Sequence, residues 1–247
     1  MSRGARLALP LLAVLALTGC GGGPADRGTT VTVLAAASLT EVMEQIAADV
    51  EADHPGVSVE TSFAASSTIV QQVNEGAPAD VVVLAGEQSL APLDQQHRVG
   101  TPQILTTNTL ELAVPPDDPA GIDGLADLTG EGLRLVVCAP EVPCGSAAAT
   151  LLGRLADPPE VVSYEPDVRA VLSKVALGEA DVGIVYRTDV AGADGTVRGV
   201  AVPAADNVVN RYPILAVSDA PLAQAFVDEA MSPRGQQHLA DAGFVAP

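Results

Sequence analysis

The chain has 247 residues, 48% hydrophobic but only 2% aromatic, and its 12 basic against 31 acidic side chains give a net charge of −19. So acidic a chain is a poor match for nucleic acid or anionic lipid, while its length suffices for one large domain or two lobes with a real core. Three scattered histidines and three cysteines leave little from which to build a zinc site.

At the N-terminus, Arg3 and Arg6 precede an apolar stretch, Leu7 to Leu17. It is too short to cross a bilayer as a helix and has the anatomy of a secretory signal peptide, so residues 1–19 are expected to be removed. The stretch ends in Leu17-Thr18-Gly19-Cys20, which resembles the lipobox of bacterial lipoproteins. That resemblance implies lipid on Cys20 and anchorage at the outer face of the cytoplasmic membrane; an ordinary cleavage site with a coincidental cysteine is the alternative. Residues 20–29, with Gly21-Gly22-Gly23-Pro24, read as a flexible tether. Without Arg3 and Arg6, ten basic side chains face 31 acidic ones, a net −21. An anionic ligand must then be held by local dipoles, against a field that salt screens beyond roughly 8–10 Å.

Short β-rich runs then alternate with helical periodicity. Val31 to Ala36 has strand length, and Leu39, Val42, Met43, Ile46, Ala47 and Val50 follow at the spacing of one buried helix face. Asp53-His54-Pro55-Gly56 stops that helix. Val57 to Phe63 is the next strand; Ile69, Val70 and Val73 line a second helix closed by Gly76-Ala77-Pro78; Val81 to Leu84 is a strand buried on both faces. This βαβαβ succession predicts a parallel sheet. The theme repeats with a strand over Leu133–Val137, a helix over Ser146–Leu155, a helix marked by Val168, Val171, Leu172 and Val175, and a strand over Val182–Tyr186. Leu110–Val114 and Ile214–Val217 would suit hinge strands between two lobes, with the C-terminal helices returning to the first.

The segment Cys138-Ala-Pro-Glu-Val-Pro-Cys144 carries prolines that favour a tight loop. An even pair of cysteines in an oxidising compartment predicts a disulfide between Cys138 and Cys144. A metal site is the alternative, but no histidine or third cysteine lies near.

Ser38, Ser66 with Ser67, Gly145 with Ser146, and Asp167 each stand where a strand gives way to a helix. In parallel α/β sheets such helix starts cluster at the carboxyl ends of the strands, where ligands bind. They offer unsatisfied N–H groups and partial positive charge, an anion site that needs no charged side chain. Taken singly, Ser38, Ser66 and Asp167 read first as plain N-caps; it is their number at equivalent strand ends that points to an anion site.

Six blocks carry a resemblance. Val33-Leu-Ala-Ala-Ala-Ser38-Leu-Thr, Ser62-Phe-Ala-Ala-Ser66-Ser67-Thr68 and Gly76-Ala-Pro-Ala-Asp80 resemble the first lobe of periplasmic molybdate-binding proteins. Glu141-Val-Pro-Cys144-Gly145, Asp167-Val168-Arg169 and Gly183-Ile-Val-Tyr186 are similar to that family's second lobe. The match runs in order from residue 31 to about 245. It implies a type II periplasmic-binding-protein fold, two α/β lobes joined by hinge strands, with residues 30–108 plus 215–247 in one lobe and 109–214 in the other. It further implies that an oxyanion is held by the hydroxyls and N–H groups of Ser38 and Ser66, the N–H groups of Cys144 and Val168, and the Tyr186 hydroxyl. Two positions depart from the family: Cys144 stands where a small residue, often alanine, is usual, and Ala65 interrupts its serine-rich block. The implied role is that of a monomer, not an enzyme, that uses no cofactor and coordinates no metal ion directly. It would pass molybdate or tungstate to the permease of an ABC transporter.

A donor-only site rejects protonated oxyanions such as phosphate, since a ligand hydroxyl would find no acceptor, and size would separate sulfate from the two larger anions. Arg169 reads as an interlobe or surface ion pair, or else as a direct contact to the anion. Glu41, Glu44 and Asp189 read as surface carboxylates available to basic permease loops. The rival readings are a binder of another oxyanion such as sulfate, a secreted serine hydrolase, or an adhesive lipoprotein. Against the hydrolase, no Gly-x-Ser-x-Gly elbow is present, and His54, His97 and His238 are not obvious partners for Ser38 or Ser66.

Overall fold

The computed structural model describes residues 29–247; the signal stretch and Cys20 lie outside them. Strand β1 (Thr29–Ala36) runs through a short 3-10 turn (Ala37–Leu39) into α1 (Thr40–Asp53), which buries Val42, Met43, Ile46, Ala47 and Val50 on one face. Pro55 cannot continue that helix, and Gly56 takes φ +91°, a conformation cheap only for glycine. Then come β2 (Val57–Ala64), α2 (Ser66–Asn74) and β3 (Val81–Val83). β1 pairs in parallel with both β2 and β3, as the alternating pattern requires.

The second lobe contains β5 (Leu135–Cys138), α3 (Pro143–Leu152), β6 (Val161–Glu165), α4 (Val168–Ala176), β7 (Val182–Tyr186), the short α5 (Arg187–Ala191) and β8 (Arg198–Ala201). Here β5 pairs in parallel with β6 and β7. Two long strands, β4 (Gln103–Val114) and β9 (Val209–Ala216), join the lobes, and α6 (Ala223–Met231) and α7 (Pro233–Asp241) pack back on α1. The strands run in the order β2-β1-β3-β9-β4-β7-β5-β6, with β8 also on β4. β4 pairs antiparallel with β9 over Gln103–Thr109, then turns its Leu110–Ala113 stretch to β7. The joining strands therefore start earlier than the apolar runs at Leu110 and Ile214 indicate. Thr106, Thr107, Asn108 and Asn210 are buried polar residues, and they hid the extension.

Separate cores fill the lobes. One packs both sides of the β5–β7 region, with Leu112, Val136, Leu151, Val171 and Ile184 at its centre. Two more cover the faces of the β1–β3 region, one under α1, α6 and α7 and one under α2. Helix α3 begins at Pro143 rather than Ser146, because proline's fixed φ suits the first helical position. Cys144 and Gly145 thus belong to its first turn. Among the described residues no helix is long and apolar enough to cross a membrane.

Candidate anion-binding site

The carboxyl ends of β1, β2, β5, β6 and β7 converge on one small cavity between the lobes. It is lined by Ser38 and Ser66 from the first lobe and by Cys144, Val168 and Tyr186 from the second, with alanines and Pro143 filling the wall. The five residues expected from the sequence are brought together, and Ser67 is not among them. The cavity measures about 20 Å³. A single water needs about 10–15 Å³ by such a measure, so the enclosed space is on the scale of one small ion.

Neither serine is an N-cap. Ser38 lies inside the 3-10 turn and Ser66 is the first residue of α2, and no side chain caps α1 or α2. The Ser66 hydroxyl, 1% exposed, instead accepts the Ala85 N–H at 2.8 Å. The Ser38 hydroxyl is 3.0 Å from the Tyr212 hydroxyl. Of the three capping candidates only Asp167 behaves as one, accepting the Ala170 N–H at 2.9 Å. It is also the one charged side chain of the cavity wall.

Cys144 and Val168 stand in the first turns of α3 and α4, where N–H groups have no partner within the helix. The Cys138–Cys144 disulfide is formed, with Cα atoms 5.7 Å apart, and ties the start of α3 to the end of β5. Gly145 is pressed against the same loop: a Cβ there would lie 1.9 Å from the Ala139 carbonyl oxygen.

Tyr186 accepts a 2.6 Å hydrogen bond from the Asn210 amide, and its ring meets that of Tyr212 edge-on, with centroids 6.1 Å apart. Burial pushes both tyrosine hydroxyls well above the usual tyrosine range, so they remain protonated donors. Asn108 donates to Thr188 at 2.8 Å. Sequence reasoning missed Tyr212, Asn210 and Asn108; polar side chains buried inside an otherwise apolar strand were the available signal.

Arg169 does not line the cavity. It pairs with Glu41 across the cleft and points its Nε at the Ala37 carbonyl, 3.4 Å away. Glu41 is thus paired, with its side chain still 62% exposed. Asp189, unlike the exposed Glu41, is not a surface carboxylate: it is partly buried and accepts the Tyr186 N–H at 2.8 Å.

Among the described residues no histidine hydrogen-bonds either serine. His238 bonds Asp49 at 2.8 Å and His97 contacts Gln96, while Ser38 and Ser66 are held by Tyr212 and Ala85. Among the described residues no group of three or more His, Cys, Asp and Glu could hold a metal ion. The residues around the cavity carry hydroxyls and helix-start N–H groups, together with one carboxylate, Asp167, that the Ala170 N–H engages; donors of that kind are the complement of an acceptor-only anion.

A family model described as bacterial extracellular solute-binding protein matches residues 31–245. The molybdate-binding protein ModA of Mycobacterium tuberculosis H37Rv is 37% identical over 91% of this chain and 88% of its own length. The solved periplasmic molybdate-binding protein of Azotobacter vinelandii has a TM-score of 0.74 at 22% identity, over 88% of this chain and 99% of that one. The solved sulfate-binding protein SubI of M. tuberculosis H37Rv has a TM-score of 0.75 at 24% identity, over 87% and 86%. At such identities the two solved structures speak for the fold alone.

Proposed function

The chain belongs to the bacterial extracellular solute-binding proteins, a family of binders and not of enzymes, and we propose that its solute is molybdate, with tungstate accepted alongside. The observation that carries this reading is that Ser38, Ser66, Cys144, Val168 and Tyr186, which bear hydroxyl or helix-start N–H groups, come from both lobes to line one small cavity. Ser38 and Ser66 reach it from residues 30–108 plus 215–247; Cys144, Val168 and Tyr186 reach it from residues 109–214. An anion that contacts both lobes stabilises the closed form over the open one, and the closed form is what docks on the permease of an ABC importer. The protein acts as a monomer, held outside the cytoplasmic membrane by lipid on Cys20. The 37% identity to a molybdate-binding relative supports the choice of anion.

Sulfate is the second reading, favoured by the shared fold of the sulfate-binding SubI. Calorimetric titration of the domain beginning after Cys20 with molybdate, tungstate, sulfate and phosphate separates the two. Tight 1:1 binding of molybdate and tungstate, with sulfate far weaker and phosphate weaker still, is the expected result. Preference for sulfate would keep the transport role and change the solute; binding of none would overturn the reading.

A further inference from the structure

We propose that the Arg169–Glu41 ion pair is an interlobe latch that prolongs the closed state, and hence retention of the anion, without touching it. The proposal rests on the reading of the cavity as an oxyanion site. Arg169 follows Val168 at the start of α4, and Glu41 lies one helical turn beyond Ser38 in α1. Each partner therefore sits beside a cavity-lining residue, on opposite lobes. Among the described residues it is the ion pair that joins a helix of one lobe to a helix of the other; Arg211 on the joining strand β9 also pairs with Glu87 of the first lobe, while Arg234 and His238 pair within the first lobe and Arg134, Lys174 and Arg198 within the second. The contact of Arg169 Nε with the Ala37 carbonyl, 3.4 Å away, adds a second link, to the peptide just before Ser38.

Opening the cleft must separate these groups and return each to water. Closing it reunites them whether or not an anion is present, so the latch shifts the open–closed balance and raises affinity by the same factor for every anion. The side chains are 41% and 62% exposed, so the factor is small. Exposed pairs give about a two- to five-fold change at most, and salt erodes it. Discrimination among anions is left to the donors of the cavity wall.

The test titrates wild type, Glu41→Gln, Arg169→Gln and the charge-swapped Glu41→Arg/Arg169→Glu protein with sodium molybdate and sodium sulfate at low and high salt. Small-angle scattering of each ligand-free protein is measured alongside. Each neutral variant should weaken both anions by about two- to five-fold at low salt, keep their ratio, and show a larger radius of gyration; the swap should restore affinity. A loss of about a hundredfold confined to Arg169→Gln would make Arg169 a ligand contact and overturn the latch. Unchanged affinity and radius in both neutral variants would overturn it too. If the wild type binds no oxyanion, the parent reading fails by that fact, and the scattering alone decides whether the pair holds the lobes together.

Discussion

The Ser66 hydroxyl accepts the Ala85 N–H at 2.8 Å, and this bond favours rotamers in which its own hydrogen points elsewhere. With its acceptor side occupied by the backbone after β3, the hydroxyl has its hydrogen left to donate. Ser66→Ala removes a donor to a charged ligand and strands a buried N–H. Anion affinity should fall about 10- to 100-fold, and stability by about 1–3 kcal/mol. Calorimetry and thermal melting of the ligand-free protein read the two effects separately; affinity unaltered in a destabilised protein would remove Ser66 from the site.

Tyr186→Phe keeps the ring and deletes the hydroxyl bonded to Asn210 at 2.6 Å. A hydrogen bond to a charged group is worth about 1.5–3 kcal/mol, so affinity should drop about 10- to 100-fold. The Tyr186 hydroxyl itself should add no pH dependence to binding from pH 6 to 9, because burial holds it protonated; a change near pH 7 shared by wild type and variant belongs to Asp189. A change of affinity above pH 8 seen in wild type and absent from the variant would show that the tyrosine titrates in the working range.

Gly145→Ala tests the fit between α3 and its loop. The added methyl would meet the Ala139 carbonyl carbon at 2.5 Å as well as its oxygen at 1.9 Å, so backbone must move. A cost of about 1–3 kcal/mol and at least a tenfold loss of affinity are expected, from an amide re-aimed next to Cys144. Retention of both in titration and melting would mean that the loop has room the geometry does not show.

The disulfide makes a distinct prediction. Replacing Cys138 and Cys144 together by serine opens a short loop, which costs about 2 kcal/mol by chain entropy. A domain of this size should then melt about 4–8 °C lower. Intact mass after alkylation without reductant should show no modified thiol in the wild-type domain that begins after Cys20; two modified cysteines would refute the bridge.

Asp189 gives stability a pH dependence. Its carboxyl is pushed from 3.8 up to about 7, chiefly because burial disfavours the charge; the Tyr186 N–H and Arg169 oppose this, and Glu41 and Asp167 add to it. The folded state therefore holds this proton more tightly than the unfolded chain, so its contribution favours folding at acid pH and is lost as pH rises from about 4 to about 7. Asp189 keeps partial access to water, which discounts the effect to about 1–2 kcal/mol. Asp189→Asn, which can still accept the Tyr186 N–H, should melt higher than wild type at pH 8 and the same at pH 4. Equal melting at both would show the carboxylate to be well solvated.

Much of the fold was legible because each element carries its own period. Val182–Tyr186 is five consecutive buried residues, and α1 repeats its apolar positions over three turns. β6 was not legible, since Val-Val-Ser-Tyr-Glu leaves Val162 and Tyr164 exposed at the edge of the sheet. The start of α3 was misplaced because Pro143 reads as a turn until its position at the head of a helix is known. Local sequence also could not tell caps from ligand donors: Ser38 and Asp167 look alike before a helix, yet one bonds a tyrosine 174 residues away and the other its own first turn. Asp189 was misread for the same reason, as nothing in the sequence says which side of α5 is covered.

Asn210 and Tyr212, which hold the Tyr186 and Ser38 hydroxyls, both sit on β9. That strand passes from β4 to β3, so flexing it swings the residues that aim the donors. The pivot and the grip are thus built from one piece of backbone, as in tweezers whose spring also carries the tips. Substitutions that stiffen β9 should alter how firmly the ion is held and how readily the lobes part in the same stroke, whereas changes at Ser66 or at the Arg169–Glu41 pair act directly on one of the two.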